Sequence, residues 1–176
     1  MGFEIEGSVL VRYYDTTGVT DVVIPDSVTS IGKGAFQECD NLTSVTIPDS
    51  VTSIGSSAFK SCSNLKNVTI PDSVTNIGSS AFFYCKNLIS VTIPDSVTSI
   101  SYNTFLGCTN LTSVTIPNSV IIIGDWAFEN CNLSSVIIPK AVRKVGQGSF
   151  YGCKEITVYD SIDPDAKPYK NHSDGY

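Results

Sequence analysis

The chain has a single histidine, His172, and no Cys-x-x-Cys pair among its six cysteines. One histidine in a polar C-terminal segment cannot pair with a serine or cysteine nucleophile on a rigid element, which argues against hydrolases of the Ser-His-Asp and Cys-His types. Without close cysteine pairs, a tetrahedral zinc site is not expected either. We therefore expect a protein that is not an enzyme and that uses no metal and no cofactor.

Dense basic runs and long apolar runs are also missing. The 17 Asp and Glu residues outnumber the 11 Lys and Arg residues, for a net charge of −6, and no basic stretch could follow a phosphate backbone. No apolar stretch reaches the roughly 18 residues of a membrane-spanning helix, and the N-terminus has neither a basic nor an apolar signal segment. We therefore expect a soluble chain without an export signal, without nucleic acid as a partner and without membrane insertion.

What the sequence does contain is an internal repeat. Phe and Cys recur together every 23 residues, with one final step of 22. The short step arises because Cys131-Asn132-Leu133 has one residue fewer than Cys108-Thr109-Asn110-Leu111, which predicts a loop between the Cys and Leu positions. The repeated residues are Phe36, Phe59, Phe82, Phe105, Phe128 and Phe150, and Cys39, Cys62, Cys85, Cys108, Cys131 and Cys153.

One repeat, residues 42–64, shows how each coil is built. Residues 42–47 alternate apolar and polar types, which predicts a strand with Val45 and Ile47 pointing inward. Pro48 and the Asp-Ser pair after it end that strand in a turn. Residues 51–54 alternate again and predict a second, shorter strand. Gly55 is expected to supply a φ that a side chain would resist, and Ser56–Cys62 to form one helical or 3-10 turn.

Stacking such coils gives a mainly β solenoid with a parallel sheet and about six coils of 23 residues. We expect six full coils over residues 19–155. Residues 1–18 predict a cap, with a hairpin that turns at Gly7-Ser8, and residues 156–176 predict one final strand and a weakly ordered polar tail.

The pattern Leu-x-x-Val-x-Ile-Pro-x-x-Val-x-x-Ile-Gly-x-x-Ala-Phe-x-x-Cys resembles the BspA-like, or Treponema-type, leucine-rich repeats, over about residues 3 to 159. The resemblance implies a right-handed leucine-rich-repeat solenoid, an extracellular or cell-surface location, and a role in adhesion or in the binding of host and matrix proteins. Ser101 and Thr104 depart from the pattern, since they replace the expected Gly and Ala in the fourth coil.

The cysteines allow two interpretations. Stacked Cα atoms would lie about 4.8 Å apart, inside the window for a disulfide, but parallel Cβ atoms would stay beyond the usual separation of about 3.5 to 4.5 Å. A structural ladder of small buried thiols is therefore favoured, and disulfides are the alternative.

A second column follows the prolines: Asp26, Asp49, Asp72, Asp95, Asn118 and Lys140. Its carboxylates suggest calcium, but turn formation after proline explains the column without a cation. We favour the turn interpretation.

Some positions vary between coils while the neighbouring positions stay the same. The side chains at these positions are not fixed by packing between coils, so they are the candidates for ligand binding. Large side chains stand in coils three to six at positions where other coils have Ser, Lys, Gln, Glu or Gly. They predict one aromatic patch on the helical-turn edge, and the alternative is that some of these rings fold over the edge and shield the core. The candidates are Phe83, Tyr84, Tyr102, Leu106, Trp126 and Tyr151.

The sequence therefore predicts a non-catalytic binding module of a cell-surface or secreted protein, with a protein or glycan ligand. The alternative function is a structural spacer or display scaffold for other domains.

Overall fold

The computed structural model describes residues 2–15, 18–153 and 157–160. The predicted fold is confirmed: the chain is a parallel-sheet β-solenoid of about six turns. The predicted weakly ordered tail beyond residue 160, which includes His172, lies outside the described residues. Within the described ranges, no helix is long and apolar enough to span a membrane.

Short strands make up the solenoid. In chain order they are β1 (Gly2–Glu6), β2 (Val9–Tyr14), β3 (Asp21–Val23), β4 (Ser30–Ile31), β5 (Ser44–Thr46), β6 (Ser53–Ile54), β7 (Asn67–Thr69), β8 (Asn76–Ile77), β9 (Ser90–Thr92), β10 (Ser99–Ile100), β11 (Ser113–Thr115), β12 (Ile122–Ile123), β13 (Ser135–Ile138), β14 (Lys144–Val145) and β15 (Thr157–Asp160).

The strands form two rows along the solenoid. The odd-numbered strands from β3 to β15 follow one another in the first row, and the even-numbered strands from β2 to β14 follow one another in the second. Paired residues in neighbouring coils are 23 apart, as in Val45 with Val68, until the pairing of Ile122 with Lys144, which are 22 apart. The one-residue deletion lies in the strand-free segment 131–134 and leaves the register of the second row intact, since Ile123 still pairs with Val145. Ser135 and Thr157, which pair in the first row, are also 22 residues apart.

The N-terminal hairpin continues the second row instead of lying across it. β1 and β2 pair in antiparallel fashion around Gly7 and Ser8, and β2 then pairs in parallel with β4, Leu10 opposite Ile31. The Tyr13 ring stacks on the Phe36 ring with their centroids 5.2 Å apart. β2 thus occupies the place of the second strand of a coil and covers the first full coil.

The core is a file of stacked phenylalanines. Neighbouring rings lie 4.9 to 5.4 Å apart between centroids and within 12° of parallel. All six are at most 1% exposed, and the Val, Ile and Leu columns of both strands pack around them. Each coil therefore buries its apolar side chains mainly against the coils before and after it.

The predicted helical turn at Ser56–Cys62 is wrong. Ser57, Phe59 and Ser61 donate their N–H groups to carbonyls of the next coil over 2.7 to 2.9 Å, while the residues between them close turns within the coil. Ser57 and Ser61 have positive φ angles of 57° and 59°. A helix directs all its N–H groups one way along its own axis. Here the left-handed residues turn every second N–H toward the neighbouring coil, which extends the inter-coil bonding.

The glycine at the end of the second strand also has a different role from the predicted one. Gly55 does not have a positive φ. A Cβ at Gly55 would lie 2.7 Å from the Gly32 carbonyl carbon and 2.8 Å from the Ile31 oxygen. Gly55 N–H donates to the Ile31 oxygen over 2.8 Å, and glycine suits this position because the two backbones then approach too closely to leave room for a Cβ.

Coil four carries a serine at this position, and the bonding changes there. Ser101 donates its hydroxyl, not its N–H, to the Ile77 oxygen, over 2.9 Å. Among the described residues, its N–H makes no bond equivalent to that of Gly55. The hydrogen-bonded ladder of the second row is interrupted at this place, between β8 and β10. Ser101 thus places a Cβ where the equivalent glycines of the other coils face the backbone of the coil before them.

A candidate binding surface at the turn edge

The turn edge is the segment of each coil between the end of its second strand and its cysteine, such as residues 78–85 in coil three. All six candidate residues lie on it. Tyr84, Tyr102 and Tyr151 are exposed, at 39%, 46% and 56%, while the other three are half-buried. The edge therefore presents large apolar and aromatic side chains to solvent in coils three to six.

Phe83 and Tyr84 form the first aromatic pair. Their ring centroids are 4.5 Å apart with the planes tilted by 49°. Lys60 Nζ lies 5.5 Å from the Phe83 centroid and Lys86 Nζ lies 5.9 Å from the Tyr84 centroid. These distances are typical of cation–π contacts, so two ammonium groups flank the pair.

Tyr84 leans toward the next coil and lies over Gly107. Three atoms of its ring are 3.2 Å from the place where a Cβ of Gly107 would stand. Tyr84 has a positive φ of 57°, which directs its side chain along the solenoid. Gly107 leaves room for that ring, because any side chain there would meet it.

Tyr102 and Trp126 form the second pair, in coils four and five. Their rings meet edge to face, with centroids 5.4 Å apart and planes at 87°. Trp126 also has a positive φ, 52°, and its ring lies 2.5 Å from the position of a Cβ at Gly148. Trp126 therefore rests on a glycine of the next coil, as Tyr84 does.

The structure thus brings together two pairs of the predicted residues. Leu106 and Tyr151 lie on the same edge, but among the described residues the Tyr151 ring has no aromatic contact. The rings of Tyr84 and Trp126 lie over glycines of the turn edge. Their role as a ligand-binding patch stays a prediction.

The six cysteines lie in one file beside the phenylalanines, as free thiols. Each thiol from Cys62 onward donates to the carbonyl of the phenylalanine one coil earlier, over 2.9 to 3.2 Å; for Cys62 the acceptor is the Phe36 oxygen. Burial raises the pKa of Cys85 to about 12 and that of Cys153 to about 11. Burial likewise raises the pKa of Cys108 well above its ordinary value. The file is a row of neutral, hydrogen-bonded thiols.

The column after the prolines makes the predicted turns. Val51 N–H donates to the Pro48 oxygen over 3.0 Å, and the other coils repeat this bond. The aspartates of the column are exposed. Ser50 does not bond within its own turn, since its hydroxyl donates to the Val28 oxygen of the previous coil over 2.7 Å. In the described part of the chain, no group of three His, Cys, Asp or Glu residues is placed to hold a metal ion.

The repeat pattern decides the family. A model of the BspA-type leucine-rich repeat region matches six copies in the chain, over residues 11–106 and 76–162. The chain belongs to the BspA-type leucine-rich repeat family. Its solenoid is a repeat scaffold of a kind that is typically non-catalytic. Among curated protein sequences, none matches the chain significantly.

Solved structures of bacterial proteins share the BspA-type fold. A leucine-rich cell surface protein of Faecalibacterium prausnitzii is 30% identical over 92% of this chain, with a TM-score of 0.64. The T. pallidum leucine-rich repeat protein is 29% identical over 82% of this chain and 80% of its own length, with a TM-score of 0.72. The chain spans only 55% of the Faecalibacterium protein. A pneumococcal vaccine antigen, PcpA, is 21% identical over 88% of this chain and 45% of its own, with a TM-score of 0.67, and shares the fold.

One feature of this BspA-type chain was not predicted from its sequence: a ladder of asparagine side chains beside the turn edge. Asn110 Nδ2 donates to Asn87 Oδ1 over 2.9 Å, and Asn87 Nδ2 donates to Asn64 Oδ1 over 3.1 Å. Asn64 Nδ2 donates to the Asp40 carbonyl over 2.8 Å. An asparagine directly before the leucine of coils three to five, at Asn64, Asn87 and Asn110, is the signal that could have predicted the ladder.

Proposed function

We propose that this chain is a non-catalytic binding module of a cell-surface or secreted protein and that it mediates adhesion by recognising a protein ligand. One observation carries the proposal: two aromatic pairs, each with one exposed tyrosine and one half-buried ring, lie on the turn edge at positions where the first coils have small, polar or charged residues. The inner columns do not change in this way. The similar Faecalibacterium protein is a cell surface protein, which supports the location.

The physical character of the patch suits a protein partner. Tyr and Trp offer a large contact area at a low entropy cost, and they are enriched in the residues that dominate binding energies. Tyr84 and Trp126 already rest on glycines of the next coil, so little further ordering is needed on binding. Lys60 and Lys86 flank the first pair and favour a partner with carboxylates at the rim of its contact surface.

A structural spacer is the second candidate function. Its support is that each coil bonds to its immediate neighbours, so coils can extend a rod without a change in fold. A spacer would need no exposed aromatic pairs, and this is why we place it second.

The experiment that separates the two functions measures binding to a panel of purified extracellular-matrix proteins by surface plasmon resonance. The test variant replaces Tyr102 with Ser and Trp126 with Asn, the residues at the equivalent positions of coils three and four. The control is Thr115→Ala on the exposed face of the first strand row. We expect the double variant to lose at least about tenfold in affinity, which corresponds to about 1.4 kcal/mol, and the control to bind as the wild type does.

Thermal unfolding of the double variant completes the test. Because Tyr102 is exposed and Asn suits the positive φ of residue 126, we expect a shift of only a few degrees. A wild-type protein that binds no member of the panel would favour the spacer. A collapse of the melting temperature would show that the rings stabilise the fold instead of presenting a patch.

A further inference from the structure

A notch interrupts the turn edge next to Tyr84. It has a volume of about 440 Å³ and lies across coils three to six. Its walls are formed by Tyr84, Gly107, Thr109, Asn130, Cys131, Asn132 and Gly152. The volume falls at the lower end of the range of about 300 to 1,000 Å³ that is typical of small-ligand sites.

The first cause of the notch is a column in which large residues and glycines alternate. Tyr84 and Asn130 have positive φ angles and lean over Gly107 and Gly152, respectively, in the coils that follow them. Gly107 has no side chain to lean over coil five. The space between the Tyr84 ring and the Asn130 amide is therefore left open.

The second cause is the one-residue deletion in coil five. Coil four has Thr109 after its cysteine, whereas coil five passes directly from Cys131 to Asn132. The asparagine ladder is interrupted at the same place, since no described residue receives a side-chain hydrogen bond from Asn132. Two independent departures from the repeat thus open the same part of the surface.

The groups in the notch are neutral and rich in hydrogen-bonding atoms. The Asn130 and Asn132 amides offer donors and acceptors that no described protein group uses. Thr109 donates its hydroxyl proton to the Lys86 carbonyl over 3.4 Å and keeps its oxygen free to accept. Burial holds the pKa of Cys131 well above its ordinary value, so this thiol stays uncharged.

An aromatic ring beside several amide groups matches the surface of a sugar. One face of a pyranose consists of C–H groups that pack on an aromatic ring, while its hydroxyls need both donors and acceptors. A purely apolar ligand would leave the two amides without partners, at a cost of about 1 to 3 kcal/mol for each. An anionic ligand would find no cation among the described lining residues.

We propose that the notch binds a single neutral sugar residue, with its C–H face against the Tyr84 ring and its hydroxyls hydrogen-bonded to Asn130, Asn132 and Thr109. This site shares Tyr84 with the proposed protein-binding surface and is otherwise separate from it. Tyr102 and Trp126 are not part of the notch, and Asn130 and Asn132 are not part of the aromatic pairs.

The test uses saturation-transfer difference NMR with the methyl glycosides of glucose, galactose, mannose and N-acetylglucosamine. We expect at least one of them to bind with a dissociation constant near 1 mM, the order expected for so small a contact. In proton–nitrogen correlation spectra of the labelled protein, the backbone amide signals of Gly107, Asn130, Asn132 and Gly152 should shift when the sugar is added. If none of the four glycosides binds, or if shifts change elsewhere, the proposal is wrong.

Two variants localise the interaction. Tyr84→Asn places at this left-handed position the residue that coil five has there, and it should weaken binding roughly tenfold. Insertion of a threonine between Cys131 and Asn132 restores the regular 23-residue spacing, and it should fill the notch and abolish binding without loss of stability. Tyr151→Ser, on an exposed tyrosine outside the notch, is the matched control and should bind as the wild type does. Equal binding by all three would overturn the proposal.

Discussion

The interior of the solenoid carries the same side chain in nearly every coil, whereas the turn edge changes from one coil to the next. Phe82 and Phe83 are adjacent in the chain and show the difference. Phe82 is fully buried between the rings of two other coils, while Phe83 is half-buried beside Tyr84. An inner side chain must fit two neighbouring coils at once, so it repeats. An edge side chain faces solvent on one side and can vary.

The largest effect is expected from removing one ring of the inner file. Phe82→Ala should destabilise the fold by about 3 to 5 kcal/mol, because it leaves a cavity between two stacked rings. Phe83→Ala should cost about 1 kcal/mol or less, since half-exposed positions lose little burial. Urea unfolding of the two variants, followed by circular dichroism and by Trp126 fluorescence, measures these two losses of unfolding free energy. Equal losses would remove the distinction between interior and edge.

The thiol file should make the stability of the interior depend on pH. An unfolded thiol ionises near its ordinary pKa of 9.0, but the native pKa of Cys85 is raised to about 12 by burial. Above about pH 9 the native state therefore holds more protons than the unfolded state. The free energy of unfolding should then fall as pH rises, by up to about 1.4 kcal/mol per pH unit for this thiol.

The Cys85→Ala variant isolates that contribution. Its unfolding free energy, measured by urea titration from about pH 8 to pH 10.5 under reducing conditions, should fall less steeply than that of the wild type. Below pH 8 the two curves should run parallel, because this thiol is then protonated in both states. Parallel curves over the whole range would mean that the native thiol ionises as readily as the unfolded one.

The smallest effect is expected at the asparagine ladder. Asn87→Ala removes a side chain that both donates to Asn64 and accepts from Asn110, and it should cost about 1 kcal/mol. Asn132→Ala, in the notch, removes no such bond to a described residue and should change stability by less than about 0.5 kcal/mol. Chemical denaturation of the two variants side by side gives the comparison. If Asn132→Ala costs as much as Asn87→Ala, the ladder continues through coil five.

The repeated parts of the fold could be predicted because they follow from residue type. Alternation around Val45 and Ile47 predicted a strand with one buried face, and the proline predicted its end. The deletion in coil five predicted a loop, and segment 131–134 contains no strand. The turn edge was predicted wrongly as helical, because its conformation depends on bonds to the next coil. Serines 57 and 61 adopt positive φ angles that their residue type does not indicate.

The six candidate site residues could be found from the sequence as breaks in the repeat, but their arrangement could not. That Tyr84 and Trp126 lean along the solenoid follows from their left-handed backbone, which is uncommon for aromatic residues. The notch depends on two columns at once. In one, large residues alternate with glycines, as in Tyr84, Gly107, Asn130 and Gly152; in the other, coil five lacks the residue that corresponds to Thr109. Neither column alone indicates an opening.

The pairing of a ring in one coil with a glycine in the next sets a spacing rule for the whole surface. Tyr84 needs Gly107 and Trp126 needs Gly148, so two consecutive coils cannot both carry a ring at the same left-handed position. Since coils are about 4.8 Å apart, rings in one such column can stand no closer than about 10 Å. Rings of neighbouring coils that meet a partner together must therefore come from different columns, as Tyr102 and Trp126 do with their centroids 5.4 Å apart.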